Sequence, residues 1–483
     1  MSKSKQLTDE ETKMLTAFDE WLSGGGPAAL VIRESLEPVE GPDGVFFPAT
    51  FAAELGNDPD RFRGGYNIDS FPDGTNVCLI DTVGSQGNRI EPIFSTADYA
   101  GLVPQISIKI SDSKRISLLD AGHRSGDAIV RCSELKSHVD EAFKALLNGN
   151  AKPLAQIAPT SLVFGVWDSR GTQAKLPRLV SSTIRAFNVC RHTRHAQYNP
   201  AVNFKKEGLL DGIDASDDDL ASKGFVSQPI GKQPGKPDPT HAGVQLSLSK
   251  EKPGSIRRDA TLGLAALRRL TVLSPDGSID GEETLTLRRY VLGLALIALT
   301  AEQDNYLRQG CNLVPASEGK DRTFQLVCSS GKRLPVMSKA EEADAIIQSN
   351  PQSAKPPVLN PPIIIQFARL AAEQFGLDPN RDLTKKALPD REVPFSKELA
   401  KKDIKGDTEK LKGEVVSVDA DNKKFVVRIG KKGDQKEVEI QVSENTAYTK
   451  GKDDSTFDAM VVAGAKLDIE VANGVAIKVI GKK

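Results

Sequence analysis

Apolar residues recur at helical spacing near the start of the chain. Leu15, Phe18 and Leu22 follow a polar stretch in which Thr8 and Glu11 have the spacing of a capping box, so an amphipathic helix opens the chain and Gly24, Gly25 and Gly26 end it. Over residues 64–110 the period shortens: residues 77–80 and 106–110 are β-rich runs between loops of Gly, Pro, Asn and Asp, which predicts strands. Helical spacing returns over residues 133–147, with Leu135, Val139, Phe143 and Leu146 on one face, and residues 161–166 read as a short apolar strand. Two further helices are predicted over residues 257–272 and 282–308, and a third runs from Pro361 and Pro362 to Phe375, with proline in its first turn. From about Lys405 the texture changes to short alternating runs: Val416 and Val418; Phe425 and Val427; Val438, Ile440 and Val442; Leu467, Ile469 and Val471; Val475, Ile477 and Val479. Asp421-Asn422 and Asn473-Gly474 lie between such runs, where a tight hairpin needs positive φ.

A chain of 483 residues exceeds what one hydrophobic core usually serves. The pattern predicts an α+β domain over residues 1–404 and a second module over residues 405–483. The second is expected to be a five-stranded β-barrel, because closure removes exposed edges from so small a unit. Five aspartates between Asp211 and Asp219, followed by a proline-rich stretch, mark residues 211–240 as an exposed insertion. Hydrophobic residues at 39% and charged residues at 27% are ordinary for a globular protein. Five cysteines without C-x-x-C spacing indicate neither a zinc site nor a disulfide framework, which fits a reducing cytoplasm. The polar N-terminus lacks the apolar core of a secretory signal. The longest apolar stretch, residues 290–301, is too short for a membrane span and is expected as a buried helix.

A net charge of -1 gives no overall attraction to a polyanion, but the charges are segregated. Residues 169–206 contain Arg170, Lys175, Arg178, Arg185, Arg191, Arg194, Lys205 and Lys206 and no Asp or Glu. Guanidinium groups grip phosphate oxygens through planar sets of donors, so the segment suits a nucleic-acid backbone; a solvated face paired with acids elsewhere is the other reading. His123, His192 and His195 are candidates for acid–base work in a metal-independent ribonuclease, or for simple hydrogen bonding beside phosphates. Asp81 and Glu91 flank a loop, but two isolated acids make a poor cation site. No phosphate-binding glycine loop of the G-x-x-x-x-G-K type is present. Arg257-Arg258 and Arg268-Arg269 fall on the predicted helix over 257–272, either as surface charge or on an anion.

Two segments resemble a known family. Residues 80–91 read IDTVGSQGNRIE, and residues 164–171 read FGVWDSRG, continuing through Lys175, Pro177, Arg178, Ser182, Ile184, Arg185 and Ala186. Both are similar to the RAMP-superfamily backbone subunit, of the Cas-seven-type Csb-one family, of type I-U (also I-G) CRISPR effector complexes. Arg257-Arg258-Asp259 and the stretch YLRQGC at 306–311 look like that family's helical half, and the resemblance covers about residues 10–380. It implies an RRM-like, ferredoxin-like palm with large finger and thumb insertions. Several copies would line up along one CRISPR guide RNA, beside other effector subunits, and present it for pairing with target DNA. No cofactor, metal, catalytic residue or membrane is implied. Carried over by motif, Ser85, Gln86, Asn88 and Arg89 form one RNA-contacting loop and Arg170, Lys175, Arg178 and Arg185 a second. Arg191, His192, Arg194, Arg257 and Arg258 complete the expected contact set. The SQGNR stretch also reads as an internally hydrogen-bonded turn. The competing function is an endoribonuclease acting through His123, His192 or His195. The module from 405 lies outside the resemblance and looks like small OB-type barrels. With only Phe425, Tyr448 and Phe457 as aromatics, and acids roughly balancing lysines, it suits a packing or partner role better than nucleic-acid binding.

Overall fold

A computed structural model of the chain describes residues 7–55, 62, 64–192, 196–226, 228–230, 242–319, 322–336, 358–384, 389–405, 408–430, 435–450, 453–472 and 475–481. The chain divides into two compact units: Met1–Gln105 with Glu141–Asp390, and Ile106–Asp140 with Arg391–Lys483.

The first unit opens on helix α1 (Asp9–Thr16), where Thr8 and Glu11 form the expected capping box and Leu15 is buried beside Leu370 and Ala371. Its main sheet centres on four antiparallel strands, β1 (Ala29–Pro38), β2 (Asn76–Asp81), β5 (Val180–Phe187) and β6 (Ser255–Gly263). Strand β1 pairs with β6, β6 with β5, and β5 with β2. On its other edge β1 pairs with β7 (Cys311–Pro315) and β8 (Thr323–Val327). Between β2 and β5 in the chain come helices α2 (Val83–Ile90) and α3 (Pro159–Phe164) and a small hairpin, β3 (Val166–Trp167) with β4 (Lys175–Leu176). Helix α4 (Gly281–Thr300) is buried along almost its whole length and packs on α5 (Pro361–Phe375), α3 and the sheet. The apolar stretch at 290–301 is thus a buried helix as expected, and no helix is long and apolar enough to cross a membrane among the described residues. Cys78 and Cys311 pack in the core below the sheet, where burial pushes both thiols up to about 12.

Four expected elements differ. The opening helix, expected to run to Gly24, ends at Thr16, and Trp21 and Leu22 lie in a separate turn of helix at Asp19–Leu22. Residues 161–166 are mostly helix: all six residues of α3 are buried, and an apolar run enclosed on every side carries no period that tells helix from strand. Residues 257–263 are strand, with Ile256, Arg258, Ala260 and Leu262 buried at alternate positions, followed by a single turn of helix at Leu264–Leu267. An arginine among the inward positions hides that alternation. The helix expected to reach 308 stops at Thr300, and Tyr306–Arg308 is a strand. Within the acidic insertion, Asp217–Ser222 forms a short helix capped by Ser216, and residues 231–240 lie outside the described set.

In the second unit, Arg391–Pro394, which precedes the boundary expected at 405, pairs in parallel with Ile106–Lys109. Five strands follow: β9 (Thr408–Asp419), β10 (Lys424–Ile429), β11 (Lys436–Lys450), β12 (Lys466–Ala472) and β13 (Val475–Gly481). Their order is β10-β9-β12-β13-β11, and β10 also pairs with β11, so the sheet curls until its ends meet. Val415, Phe425, Val427, Ile440, Ile469 and Val479 fill its inside. Lys410–Glu470, Lys412–Asp468, Lys424–Glu439 and Arg428–Glu437 pair across strands on its outside. In the β9–β10 turn Asn422 bonds back to Asp419, and Lys423 takes the positive φ. Asn473-Gly474 falls outside the described residues.

Candidate nucleic-acid interface

The hairpin β3–β4 grows from the end of α3. Gly165 has φ 78°, and a β-carbon there would lie 2.9 Å from Arg178 Cγ and backbone N, so only glycine turns the chain while letting it pack on Arg178. Alternation then sorts the strands: Val166, Asp168 and Ala174 are buried, whereas Trp167, Ser169 and Lys175 face outward, and Arg170 is exposed in the turn. The tip is closed by Asp168, whose carboxylate accepts from the Thr172 hydroxyl at 2.8 Å and from its amide at 2.5 Å, while its carbonyl accepts from the Gln173 amide at 3.0 Å. Gly171 passes so close that a β-carbon would sit 2.6 Å from that carboxylate. Lys175 stands directly opposite Trp167 with its ammonium 4.9 Å from the ring centroid. Arg170, Lys175 and Arg178 are exposed, and none has a carboxylate partner among the described residues.

The second motif is joined to the first by a chain of polar contacts. Residues 83–90 form helix α2 rather than a loop, because the Thr82 hydroxyl accepts from the Ser85 amide and starts a helix. Gln86 points inward: Ser182 Oγ donates to its Oε1 (2.8 Å), and its Nε2 donates to Asp81 (2.7 Å). It therefore knits β5 to β2 and is not a surface contact. Arg89 Nε lies 3.2 Å from Asp81, and its Nη2 donates to the Leu307 carbonyl (2.7 Å). Of the four motif residues, Asn88 and Arg89 are exposed and Ser85 is half-buried. Gly84, in the first turn, adjoins Arg178: a β-carbon on it would be 4.0 Å from the guanidinium. Asp81 is thereby engaged internally, and no group of three or more His, Cys, Asp or Glu side chains that could hold a metal ion is found among the described residues.

Across the sheet, register separates the paired arginines. Arg257 lies opposite Arg185 and Ser35, on the face that also carries Arg33, Thr183 and Asp259. Asp259 is 3.0 Å from Arg257 and 3.5 Å from Arg33, and Arg257 stacks on Phe187 at 4.7 Å. Arg185 donates to the Thr183 hydroxyl (2.6 Å). Arg258 faces the other way. It is only 2% exposed, with Nε 2.8 Å from Glu34 and Nη2 donating to the Leu299 carbonyl at the end of α4; burial pulls its pKa below the ordinary value, against the opposing pull of Glu34. Arg322 reaches the same carbonyl. The expectation that Arg258 touches RNA is corrected: it is an interior ion pair that closes a helix end. Arg191 is exposed, His192 shares a 3.2 Å contact with Gln245, and exposed His123 lies 3.5 Å from Asp127. Arg194 and His195 fall outside the described residues. Trp167 and Arg33 were not singled out from the sequence; Arg33 is visible only through its pairing with Asp259.

Residues 30–191, about a third of the chain, match the family model described as CRISPR-associated protein GSU0053. No curated protein matches the chain. The matched stretch contains α2, the β3–β4 hairpin and β5, so these elements, though not β6 with Arg257 and Asp259, lie in a part of the chain similar to a CRISPR-associated protein family.

Proposed function

We propose that the protein is a non-catalytic, guide-RNA-binding backbone subunit of a type I CRISPR effector complex, acting in the cytoplasm. Copies of it assemble along the guide with other effector subunits and present the RNA for pairing with target DNA. The observation that carries this reading is the set of exposed cations Arg170, Lys175 and Arg178, without a carboxylate partner among the described residues, on the β3–β4 hairpin and its stem, with Arg178 beside α2, inside the segment that matches the CRISPR-associated family. The strand order supports an RRM-like palm: β7 or β8, then β1, β6 and β5, is the fourth-first-third-second order of a split βαβ fold, with α4 between the third and fourth strands. The stretches between β1 and β5 and between β5 and β6 supply the finger and thumb. The curled sheet of the second unit supports a small barrel, on which Lys410, Lys412 and Lys424 pair with cross-strand acids, an arrangement suited to packing.

In this reading the protein supplies phosphate contacts without sequence preference, and base pairing supplies recognition. The test is RNA binding by the double variant Arg170→Ala/Arg178→Ala at several salt concentrations. Affinity should fall alike for unrelated sequences, and the log–log salt slope should shrink by up to about 0.7 per lost contact on single strands. A loss confined to particular bases, or an unchanged slope, counts against it.

A further inference from the structure

We propose that Trp167 is a stacking platform for an unpaired base of a single-stranded nucleic acid. The inference rests on the RNA-binding reading and adds to it a contact that is aromatic rather than ionic. The chain has two tryptophans, and they are placed in opposite ways: Trp21 is 5% exposed and Trp167 is 56% exposed. Leaving an indole in water forgoes the burial that would stabilise it. Its outward direction is set by register, since its neighbours Val166 and Asp168 are both buried, and the tip behind it is locked by the Asp168–Thr172 bonds.

The surroundings select the ligand. Lys175 lies over the ring, and Arg170 and Arg178 stand exposed on the same hairpin and its stem. The nearest carboxylate in sequence, Asp168, is turned inward and buried. An exposed ring with Lys175 over one face, on a hairpin that also carries exposed arginines, matches a polymer that alternates flat bases with phosphates. An apolar protein surface brings no negative charge to answer these cations, whereas a phosphate backbone does. The platform needs an unstacked base, so single strands are preferred over duplexes.

The experiment uses the full chain, a mixed-sequence single-stranded RNA and its blunt duplex. Tryptophan emission reports the contact: Trp167 supplies the water-exposed, red-shifted component, and Trp21 the blue one. The single strand should quench the red component and leave the blue unchanged, and the duplex should quench it less. Trp167→Ala should weaken single-strand binding roughly tenfold or more with an unchanged salt slope, because no charge is lost, and Trp167→Phe should restore most of the affinity. Saturable binding, followed by anisotropy of labelled RNA, with no red quenching or with wild-type affinity in Trp167→Ala, overturns the platform and leaves the RNA-binding reading standing. Equal quenching by the duplex also overturns it. Absence of any binding in the anisotropy assay overturns both.

Discussion

Arg257 and Arg258 are adjacent in sequence and have opposite roles. Arg257 shares Asp259 with Arg33 on the partly exposed face, whereas Arg258 lies against Glu34 at the end of α4. Removing one partner of a buried pair leaves the other charge without compensation, which typically costs about 3–5 kcal/mol. Arg258→Ala is therefore expected to lower the stability seen in urea unfolding by about that amount, because Glu34 keeps only the longer 3.5 Å contact to Arg322. Arg257→Ala should change stability by no more than about 1 kcal/mol, since exposed pairs contribute little, and should weaken RNA binding instead. The reverse ranking in paired unfolding and binding measurements would reassign the two residues.

The β3–β4 hairpin depends on one close approach. Gly171 leaves room for the Asp168 carboxylate, which in turn holds the Thr172 amide and hydroxyl. Gly171→Val places a branched side chain where even a β-carbon is too near, so the tip must open. Expected is a loss of RNA affinity comparable to that of the arginine double variant, with a stability loss of about 1–3 kcal/mol, read by thermal unfolding beside the binding curve. An unaffected binding curve would show that hairpin shape does not matter. At this scale the sequence reading succeeded where a local period was unobstructed: the start of α1 at its capping box, α5 and each of the five late alternating runs lie in elements of the expected type. It failed at α3, where every residue is buried, and at β6, where a paired arginine occupies an inward position that the period assigns to an apolar residue.

For the whole molecule, the proposed function demands a heterologous interface, because a subunit repeated along a strand cannot use a closed twofold contact. The number of copies should then follow RNA length, and light scattering with guides of increasing length measures it. A mass that stays at one or two subunits whatever the length defeats the backbone role, even if RNA binds. The same division between near and distant information runs through the chain. The capping box at Thr8, the alternating strands after 408 and the acid-free run from 169 could be read from residue order, because each depends on neighbours a few positions apart. Which arginine of a pair faces out, and that Gln86 turns inward, could not. Gln86 is held by Ser182, 96 residues away, and Arg258 by a strand and a helix end that meet it only when the sheet closes. Orientation and burial of a polar side chain are set by the partners that satisfy it, and here the deciding partners, Ser182 for Gln86 and Glu34 for Arg258, are supplied by tertiary structure.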